Sequence, residues 1–317
     1  LFSGSGLMDL GFTQEGFKVV FSIDIDKGAC ETYSHNLGDI ICGDIMDEYD
    51  IPEAPLVIGG SKCQRYSNSN RKNNYGDNPD DPLLKRYIEI VQKNRKAKVF
   101  VYENVPQFLS ARDGISLKYF KKSLPDFEIT SGIVPAAAYG SCQIRERAII
   151  IGSKIGKIDI PKGESTPDKY KTVREAFSGI TKDTPNQRDY TVPKKETLER
   201  FKYLSPGNNV HNIPEDKRPK STHSCSYRRL EWDKPSPTLP NVRKALILHP
   251  EEDRILSIRE IARTLGVPDW YEFMGSLSSK QQQLANAVDV GLSNIIARAV
   301  KKAIEAFNQR TCCVSTC

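Results

Sequence analysis

Cys63 is the residue of this chain best placed for nucleophilic chemistry. It follows the apolar run 55–60, whose last two residues are glycines that leave space for a thiol. A cysteine is usually a small buried hydrophobe, but the neighbouring Lys62 and Arg65 argue against that assignment, and their positive charge favours the thiolate. The segment therefore predicts a nucleophile at the carboxyl end of a strand.

A proton donor is predicted at Glu103. This residue follows the apolar run 98–102 and precedes a turn at Pro106, so its carboxyl group is held rigidly and partly shielded from water. Such shielding raises the pKa of a carboxyl group and lets it donate a proton near neutral pH. An acid at the N-terminus of a helix would look the same in the sequence, and this alternative stays open.

Two arginines, Arg145 and Arg147, precede the apolar run 148–152. Strand alternation places them on one face together with Gln143. Arginines in this arrangement can hold a phosphate or a base carbonyl. Surface strands often carry arginines, so the pattern indicates a site only in combination with the other segments.

A glycine turn near the start predicts a nucleoside site. Gly4 and Gly6 follow Phe2 and allow the backbone to approach a ligand closely. Asp24 ends the next strand, where an acid can accept from both ribose hydroxyls, and Asp44 ends the third, where it can accept from an adenine amino group. Solvated acids at strand ends are the alternative for both.

Strands and helices must alternate to bring these residues together. Such alternation predicts an α/β fold with a doubly wound, mostly parallel sheet, in which ligands bind at the carboxyl ends of the strands. Strands are predicted over 17–24, 55–60, 98–102 and 148–152, and helices over 27–36 and 85–94.

The chain changes character at residue 154. Between 154 and 250 proline, lysine and polar residues dominate without a long periodic helix, which predicts a smaller, irregular module. Helices are expected over 258–265 and, as one long stretch, over 280–307. The lysines of the irregular module suit contacts with phosphates, although a solvated surface would contain them as well.

Composition limits the class of protein. The 317 residues are 38% hydrophobic and 27% charged, with a formal net charge of +6, which is ordinary for a globular protein and suits a polyanionic partner. No run approaches the roughly 18 apolar residues of a membrane span, and no secretory leader is recognised at the start. We therefore expect a cytoplasmic, nucleoid-associated protein, or a nuclear one in a eukaryote, with reduced cysteines and no metal.

Taken together and in this order, these segments resemble the cytosine-C5 DNA methyltransferase family over nearly the whole chain. One motif alone is weak, but chance agreement of the ordered set is implausible. The matching segments are the turn 2–6, Asp24, Gly43-Asp44-Ile45, Cys63-Gln64, Glu103-Asn104-Val105, Gln143 to Arg147, 228–238, 256–268 and 283–288.

The resemblance implies a Rossmann-like, S-adenosylmethionine-dependent methyltransferase fold. Residues 1–153 plus 280–317 would form the catalytic domain, and 154–279 a target-recognition domain with its hinge. The implied donor is S-adenosylmethionine, and the implied partner is double-stranded DNA, bound by a monomer. The residues that match the donor pocket are Phe2, Gly4, Gly6, Asp24, Ile25, Asp44, Ile45, Lys62, Asn286 and Ala287.

The resemblance also implies a role for each catalytic residue. Cys63 would add to C6 of cytosine, Glu103 would hold and protonate N3, and Arg147 with Arg145 would fix the base carbonyl and a nearby phosphate. The target base would be flipped out of the duplex, and the polar loop 68–82 would close over it. The matching nucleic-acid contacts are Gln64, Ser67 and Gln143.

Two motifs depart from the family pattern. The family usually has proline before the cysteine, often two, where this chain has Ser61 and Lys62. The final Gly-Asn-Ala-Val-Pro of the family reads Ala-Asn-Ala-Val-Asp over 285–289.

Three interpretations of Lys62 stay open. In the first interpretation, the Lys62 side chain points to solvent or to a phosphate, and the enzyme retains ordinary methylation. Alternatively, it selects carboxy-S-adenosylmethionine and yields 5-carboxymethylcytosine, because a lysine repels a sulfonium but attracts a carboxylate. In the third interpretation the enzyme is degenerate and no longer turns over.

Two further functions compete with DNA methylation. A tRNA cytosine-C5 methyltransferase would use the same chemistry, and the short recognition region does not separate DNA from RNA. A non-catalytic DNA-binding homologue would keep the fold without turnover, but the retention of Cys63, Glu103 and Arg147 counts against it.

If Lys62 selects the donor, Lys62→Pro will change the product. The substitution removes both the attraction for a donor carboxylate and the repulsion of the sulfonium, so the ratio of carboxymethyl to methyl product should fall by about tenfold or more with both donors present. Mass spectrometry of the digested nucleosides measures this ratio. An unchanged ratio would contradict donor selection by Lys62.

Overall fold

The computed structural model describes residues 1–61, 81–220 and 225–314. The strands are β1 (Ile23–Asp24), β2 (Ile41–Cys42), β3 (Leu56–Gly59), β4 (Val99–Asn104), β5 (Glu128–Pro135), β6 (Gln143–Ile144), β7 (Glu146–Ser153) and β8 (Ser236–Pro237). The helices are α1 (Leu7–Gln14), α2 (Lys27–Leu37), α3 (Pro82–Lys93), α4 (Gln107–Ser110), α5 (Ile115–Ser123), α6 (Val173–Phe177), α7 (Lys195–Phe201), α8 (Val242–Ala245), α9 (Ile258–Thr264), α10 (Leu277–Asn286) and α11 (Val290–Val314).

A mixed sheet with the strand order β3-β4-β7-β5 forms the centre of the molecule. β3 and β4 are parallel, whereas β7 runs antiparallel to both β4 and β5. β1 and β2 form a parallel pair. The segment 1–3 lies between this pair and the sheet, since the Leu1 amine donates to Ile58 O at 2.8 Å and the Ser3 amide to Ile23 O at 3.0 Å. The expected α/β class is confirmed. The alternation of strands and helices in the sequence did not predict the antiparallel pairing of β7.

Most predicted elements are present with shifted ends. The strand predicted over 17–24 is reduced to β1, because its pairing with β2 begins only where the Ile41 amide donates to Ser22 O. The helix predicted over 85–94 begins earlier, at Pro82, because the Asp81 carboxylate caps its first turn. β5 was not predicted, since most of its residues are half-buried and do not alternate cleanly.

β4 is buried on both faces, and its side chains alternate between two cores. Phe100 and Tyr102 lie on the side covered by α3 and α5, where the Phe100 and Phe120 rings stack with centroids 5.5 Å apart. Val99 and Val101 lie on the side covered by α1 and α11. Residues at the carboxyl end of β4 are therefore held from both faces.

The long helix predicted over 280–307 is in fact two helices, α10 and α11. They are separated at 287–289, where Ala287 has an extended backbone with ψ 151° and the buried Asp289 side chain bonds to Ser141. Apolar spacing continues through the break, so periodicity alone did not reveal it.

The region 154–279 shares its hydrophobic core with the rest of the chain. One cluster combines residues of this region, such as Phe201, with Leu7 of α1 and Val290 of α11. Ile155 packs on the α11 side of the central sheet. The division into a catalytic and a target-recognition domain stays a prediction, because the core itself is continuous across the proposed boundary.

Gly11 lets α1 and α11 approach closely. A β-carbon at this position would lie 2.3 Å from Ser293 Cβ, so Gly11→Ala must push the helices apart. We expect the free energy of unfolding, measured by urea denaturation, to fall by about 1–3 kcal/mol. Gly132→Ala is the control, because its β-carbon would meet only the end of the Ile160 side chain, at 3.1 Å. Equal losses in both variants would contradict this account of the packing.

Candidate active site

Two adjacent strand ends form the centre of the candidate site. β3 and β4 are parallel with Gly59 opposite Tyr102, so Gly60, the first residue after β3, lies beside Glu103 of β4. A β-carbon on Gly60 would lie 2.5 Å from the Glu103 carbonyl oxygen and 3.1 Å from its Oε2. The missing side chain at residue 60 therefore makes room for the Glu103 carboxyl group.

The chain after β3 is anchored at Ser61. This residue is buried, and its hydroxyl lies 2.6 Å from the Tyr102 hydroxyl. The Asn104 side-chain amide donates to the Ser61 carbonyl at 3.3 Å. The predicted site residues that follow lie outside the described residues: Lys62, Cys63, Gln64 and Ser67.

Glu103 is buried and paired with Arg147. The Arg147 Nε lies 2.7 Å from Glu103 Oε1, with 11% of the Glu103 side chain and 8% of the Arg147 side chain exposed. Burial outweighs the attraction of Arg147 and raises the pKa of Glu103 to about 7, and the negative charge of Asp289 adds to the rise. Glu103 can therefore carry a proton near neutral pH, as a proton donor requires.

Arg145 is buried, and some of its hydrogen-bond donors are unpaired. Its Nη2 donates to Ala285 O at 2.7 Å, whereas Nε and Nη1 have no hydrogen-bond partner in the described parts of the chain. A buried guanidinium with unpaired N–H groups costs free energy unless a ligand accepts from them. The arrangement suits an anionic or carbonyl oxygen of a bound ligand.

Gln143 is engaged within the protein, and its contact with nucleic acid stays a prediction. It is fully buried, its Nε2 donates to Thr264 Oγ1 at 2.9 Å, and its Oε1 accepts from the Leu239 amide at 3.1 Å. The side chain therefore joins β6 to α9 and to the residues after β8. It thereby fixes β6, the short strand that directly precedes Arg145.

Asp24 lies at the end of β1 with both carboxylate oxygens oriented by the backbone. Oδ2 accepts from the Gly4 amide and Oδ1 from the Asp26 amide, each at 2.8 Å. Each oxygen keeps a second lone pair, which suits the two hydroxyls of a ribose. Gly4 has φ +54° and open space where its β-carbon would be, so a ligand can approach this turn.

Apolar side chains lie exposed beside this acid. Ile25 is 57% exposed and Met46 is 49% exposed, which suits packing against a planar base. The Asp44 Oδ1 accepts from the Met46 amide at 3.0 Å, and Ile45 is buried beneath. The described residues at these strand ends therefore fit an adenosine-type group.

Phe2 and Gly6 flank the turn with unusual backbones. Phe2 has φ 54°, a conformation that non-glycine residues rarely adopt and that often marks a functional site. Gly6 has φ +81°, and its β-carbon would lie 2.6 Å from the Leu37 side chain and 2.8 Å from that of Tyr33. Gly6 is thus required for packing against α2, in addition to any contact with a ligand.

The turn between α10 and α11 carries two predicted donor-pocket residues and one acid. Asn286 is exposed and accepts from Gln282 at 2.9 Å, and Ala287 is buried. Asp289 is fully buried, with Oδ1 2.5 Å from Ser141 Oγ. The sequence showed Asp289 only as a departure from proline and gave no sign of its proximity to the Glu103 site.

The described ranges contain no candidate metal site and no helix able to span a membrane. No cluster of three or more His, Cys, Asp or Glu side chains in them could hold a metal ion. None of the helices within these ranges is long and apolar enough to cross a membrane.

The fold is α/β, with the acids Asp24 and Asp44 at the ends of one strand pair and the buried carboxyl group of Glu103 near the end of β4. Residues 1–302 match the family model of the C-5 cytosine-specific DNA methylases. The chain belongs to this family.

Curated relatives cover most of the chain. It is 29% identical to the Type II methyltransferase M1.HphI of Haemophilus parahaemolyticus, over 95% of this chain and 86% of that protein. It is 30% identical to the Type II methyltransferase M.Sau96I of Staphylococcus aureus, over 97% of this chain and 76% of that protein. Among solved structures, Schizosaccharomyces pombe Dnmt2 methyltransferase matches with a TM-score of 0.68 and 17% identity, over 95% of this chain and 97% of that one, which shows the fold.

The raised pKa of Glu103 predicts a pH-dependent stability difference. The folded state binds the Glu103 proton more tightly than the unfolded state does. This contribution to stability is complete below the unfolded-state pKa of the carboxyl group, and it is lost as the pH rises through about 7. As the pH rises from 5 to 8, the unfolding free energy of Glu103→Gln should therefore increase relative to that of the wild type by on the order of 2 kcal/mol. Urea denaturation at several pH values measures the difference.

The exposed Glu305→Gln variant is the control, since it changes the same charge on the surface. Its stability should follow that of the wild type at every pH. Parallel curves for Glu103→Gln and the wild type would show that Glu103 titrates normally.

Proposed function

We propose that this chain methylates C5 of a cytosine in double-stranded DNA, after flipping the base out of the duplex and bonding its C6 to Cys63. The observation that carries the proposal is the Glu103–Arg147 pair, buried beside the strand end that leads to Cys63. Family membership supplies the reaction class, and this pair supplies a group able to activate the base.

Activation begins at N3 of the cytosine. The protonated Glu103 carboxyl group donates to N3, which withdraws electrons from the ring and makes C6 electrophilic. Arg147 orients Glu103 and donates to the base carbonyl, while the unpaired N–H groups of Arg145 donate to a nearby phosphate or carbonyl oxygen.

Cys63 supplies the nucleophile. Its thiolate adds to C6, and the resulting electron-rich C5 takes a methyl group from the donor, whose sulfonium sulfur leaves as a neutral thioether. The N3 proton returns to the Glu103 carboxylate, and loss of the C5 proton to water expels the thiolate and restores the ring. Chain connectivity supports this role. Cys63 follows Ser61 by two residues, and two residues span at most about 7 Å, while Ser61 is itself fixed next to Tyr102.

The described residues fit an S-adenosylmethionine-type donor, which when bound supplies an electrophilic methyl group on a sulfonium. Asp24 would accept from the ribose hydroxyls, and Asp44 from the adenine amino group. Ile25 and Met46 would pack against the adenine ring. Donor selection by Lys62 is decided by the product ratio described above.

Double-stranded DNA is the substrate that the relatives favour. The curated relatives above are Type II methyltransferases, which supports a modification role in a cytoplasmic restriction-modification system. A formal net charge of +6 and the lysines of the target-recognition region suit phosphate contacts, so affinity for DNA should fall steeply with salt.

Cys63→Ser tests the chemistry. A duplex in which every cytosine is 5-fluorocytosine should trap the wild type as a covalent adduct, because fluorine cannot leave as a proton does. The serine variant should form no adduct and lose methyl transfer by about a thousandfold or more, since a hydroxyl is a far weaker nucleophile. Denaturing gels and peptide mapping locate the adduct.

Cys225→Ser is the matched control, because Cys225 is an exposed cysteine and its loss should leave adduct formation intact. Labelled donor is offered with unmethylated duplex DNA and, separately, with tRNA. Label in tRNA alone would favour the RNA enzyme, and DNA binding without label would favour the non-catalytic homologue. Undiminished turnover by Cys63→Ser would exclude the proposed mechanism.

A further inference from the structure

The glycine turn 3–6 has an open end and a packed end. A β-carbon on Gly4 would meet nothing within 4 Å, whereas one on Gly6 would lie 2.8 Å from the Tyr33 ring and 3.0 Å from the Tyr271 hydroxyl. At the open end the Gly4 amide donates to the Asp24 carboxylate at 2.8 Å. A donor that reaches Asp24 therefore meets a turn whose other end is packed against the protein.

Tyr271 restrains the peptide bond between Ser5 and Gly6. Its hydroxyl donates to the Ser5 carbonyl oxygen, and the amide of the same peptide, on Gly6, donates to Ser3 O at 2.8 Å. Gly6 has φ +81°, and glycine adopts either sign of φ at little cost. The residues of the turn therefore do not fix this peptide by themselves, and the Tyr271 hydroxyl supplies a restraint from outside the turn.

The region 154–279 holds Tyr271 in place. The Tyr271 side chain is fully buried, its carbonyl accepts from Arg259 Nη2 at 2.6 Å, and its amide donates to Pro268 O at 3.1 Å. The Arg259 guanidinium is also fully buried and donates to Pro185 O at 2.8 Å and to Pro268 O at 2.9 Å. The phenol therefore reaches the turn from a backbone that a buried arginine of α9 fixes.

The segment 271–274 forms a strap that two asparagines clamp. Asn36 of α2 donates to Glu272 O at 2.8 Å and accepts from the Glu272 amide at 2.9 Å. Asn186 donates to Phe273 O at 3.0 Å and accepts from the Phe273 amide at 2.8 Å. Asn36 belongs to the predicted catalytic domain and Asn186 to the predicted recognition domain. A shift of the strap would therefore break paired hydrogen bonds to both.

We propose that Tyr271 is a positioning residue for the methyl donor. Its hydroxyl holds the peptide after Ser5 and thereby keeps the turn in the shape in which Gly4 donates to Asp24. The Asp24 carboxylate is then oriented for the ribose hydroxyls before the donor arrives. This inference rests on the proposed function, because the donor belongs to that reaction. It predicts that donor affinity depends on a residue outside the predicted donor pocket.

Tyr271→Phe tests the proposal, since it removes the hydroxyl and keeps the buried ring. Without the restraint the turn must be ordered when the donor binds. The Kd of S-adenosylmethionine, measured by isothermal titration calorimetry, should therefore rise by about five- to tenfold. KM for this donor should rise by the same factor, whereas kcat at saturating donor and KM for duplex DNA should be unchanged.

Tyr33→Phe is the matched control, because Tyr33 is also buried beside Gly6 but its hydroxyl makes no hydrogen bond to residues 3–6. Both variants lose a buried phenol hydroxyl, and thermal unfolding without donor reports any general loss of stability. Only Tyr271→Phe should weaken donor binding. An unchanged donor Kd in Tyr271→Phe would overturn the proposal in favour of a purely structural role, as would an equal rise in Tyr33→Phe.

Asn186→Gly is a second test that leaves the Tyr271 hydroxyl in place. Asn186 has φ 62°, a conformation that glycine adopts readily, so the backbone is kept while both hydrogen bonds to Phe273 are lost. The loosened strap should also raise the donor Kd, by about twofold or more. If Tyr271→Phe does not fold, an unchanged donor Kd in Asn186→Gly overturns the proposal.

The binding measurement separates this inference from the proposed function, because it does not require methyl transfer. A wild type that methylates DNA, with an unchanged donor Kd in Tyr271→Phe, overturns the role of Tyr271 alone. A wild type that binds S-adenosylmethionine but transfers no methyl group to cytosine overturns the proposed function, whereas a raised Kd in Tyr271→Phe would still support its role at the donor turn.

Discussion

Burying a carboxyl group costs free energy, and the site depends on how the fold meets that cost at Glu103. Arg147 offsets part of it through a close ion pair, and the remainder appears as a raised pKa. A better paired Glu103 would stay ionised and could not donate a proton. An unpaired one would be costly to fold. The proposed chemistry therefore requires that the ion pair compensate the burial only in part.

The mixed sheet explains how an arginine reaches that acid. In parallel strands the carboxyl ends gather at one edge, but β7 runs antiparallel to β4, so the beginning of β7 lies beside the end of β4. Arg147 stands near the beginning of β7 and Glu103 near the end of β4. A parallel crossover would have required a helix between the two strands, whereas an antiparallel strand brings the arginine directly to the acid.

The sequence predicted the parts of this protein that depend on local pattern. The α/β class, the helical stretches near 27–36, 85–94, 258–265 and 280–307, and the position of an acid near the end of β4 follow from residue type and spacing. Contacts between distant segments were beyond it. Gln143 looked like a surface contact until Thr264 and Leu239 were seen to engage its amide, and Asp289 looked like a simple departure from proline. The break at 287–289 was hidden because apolar spacing continues across it.

The shared core has a consequence for how the chain matures. One face of the central sheet and the buried side of α1 are covered by α11, which is the last described helix. A growing polypeptide would therefore expose those apolar surfaces until α11 has been synthesised, because the final packing joins segments that are far apart in sequence. Ribosome-bound intermediates that lack α11 should accordingly bind chaperones that shield apolar surfaces.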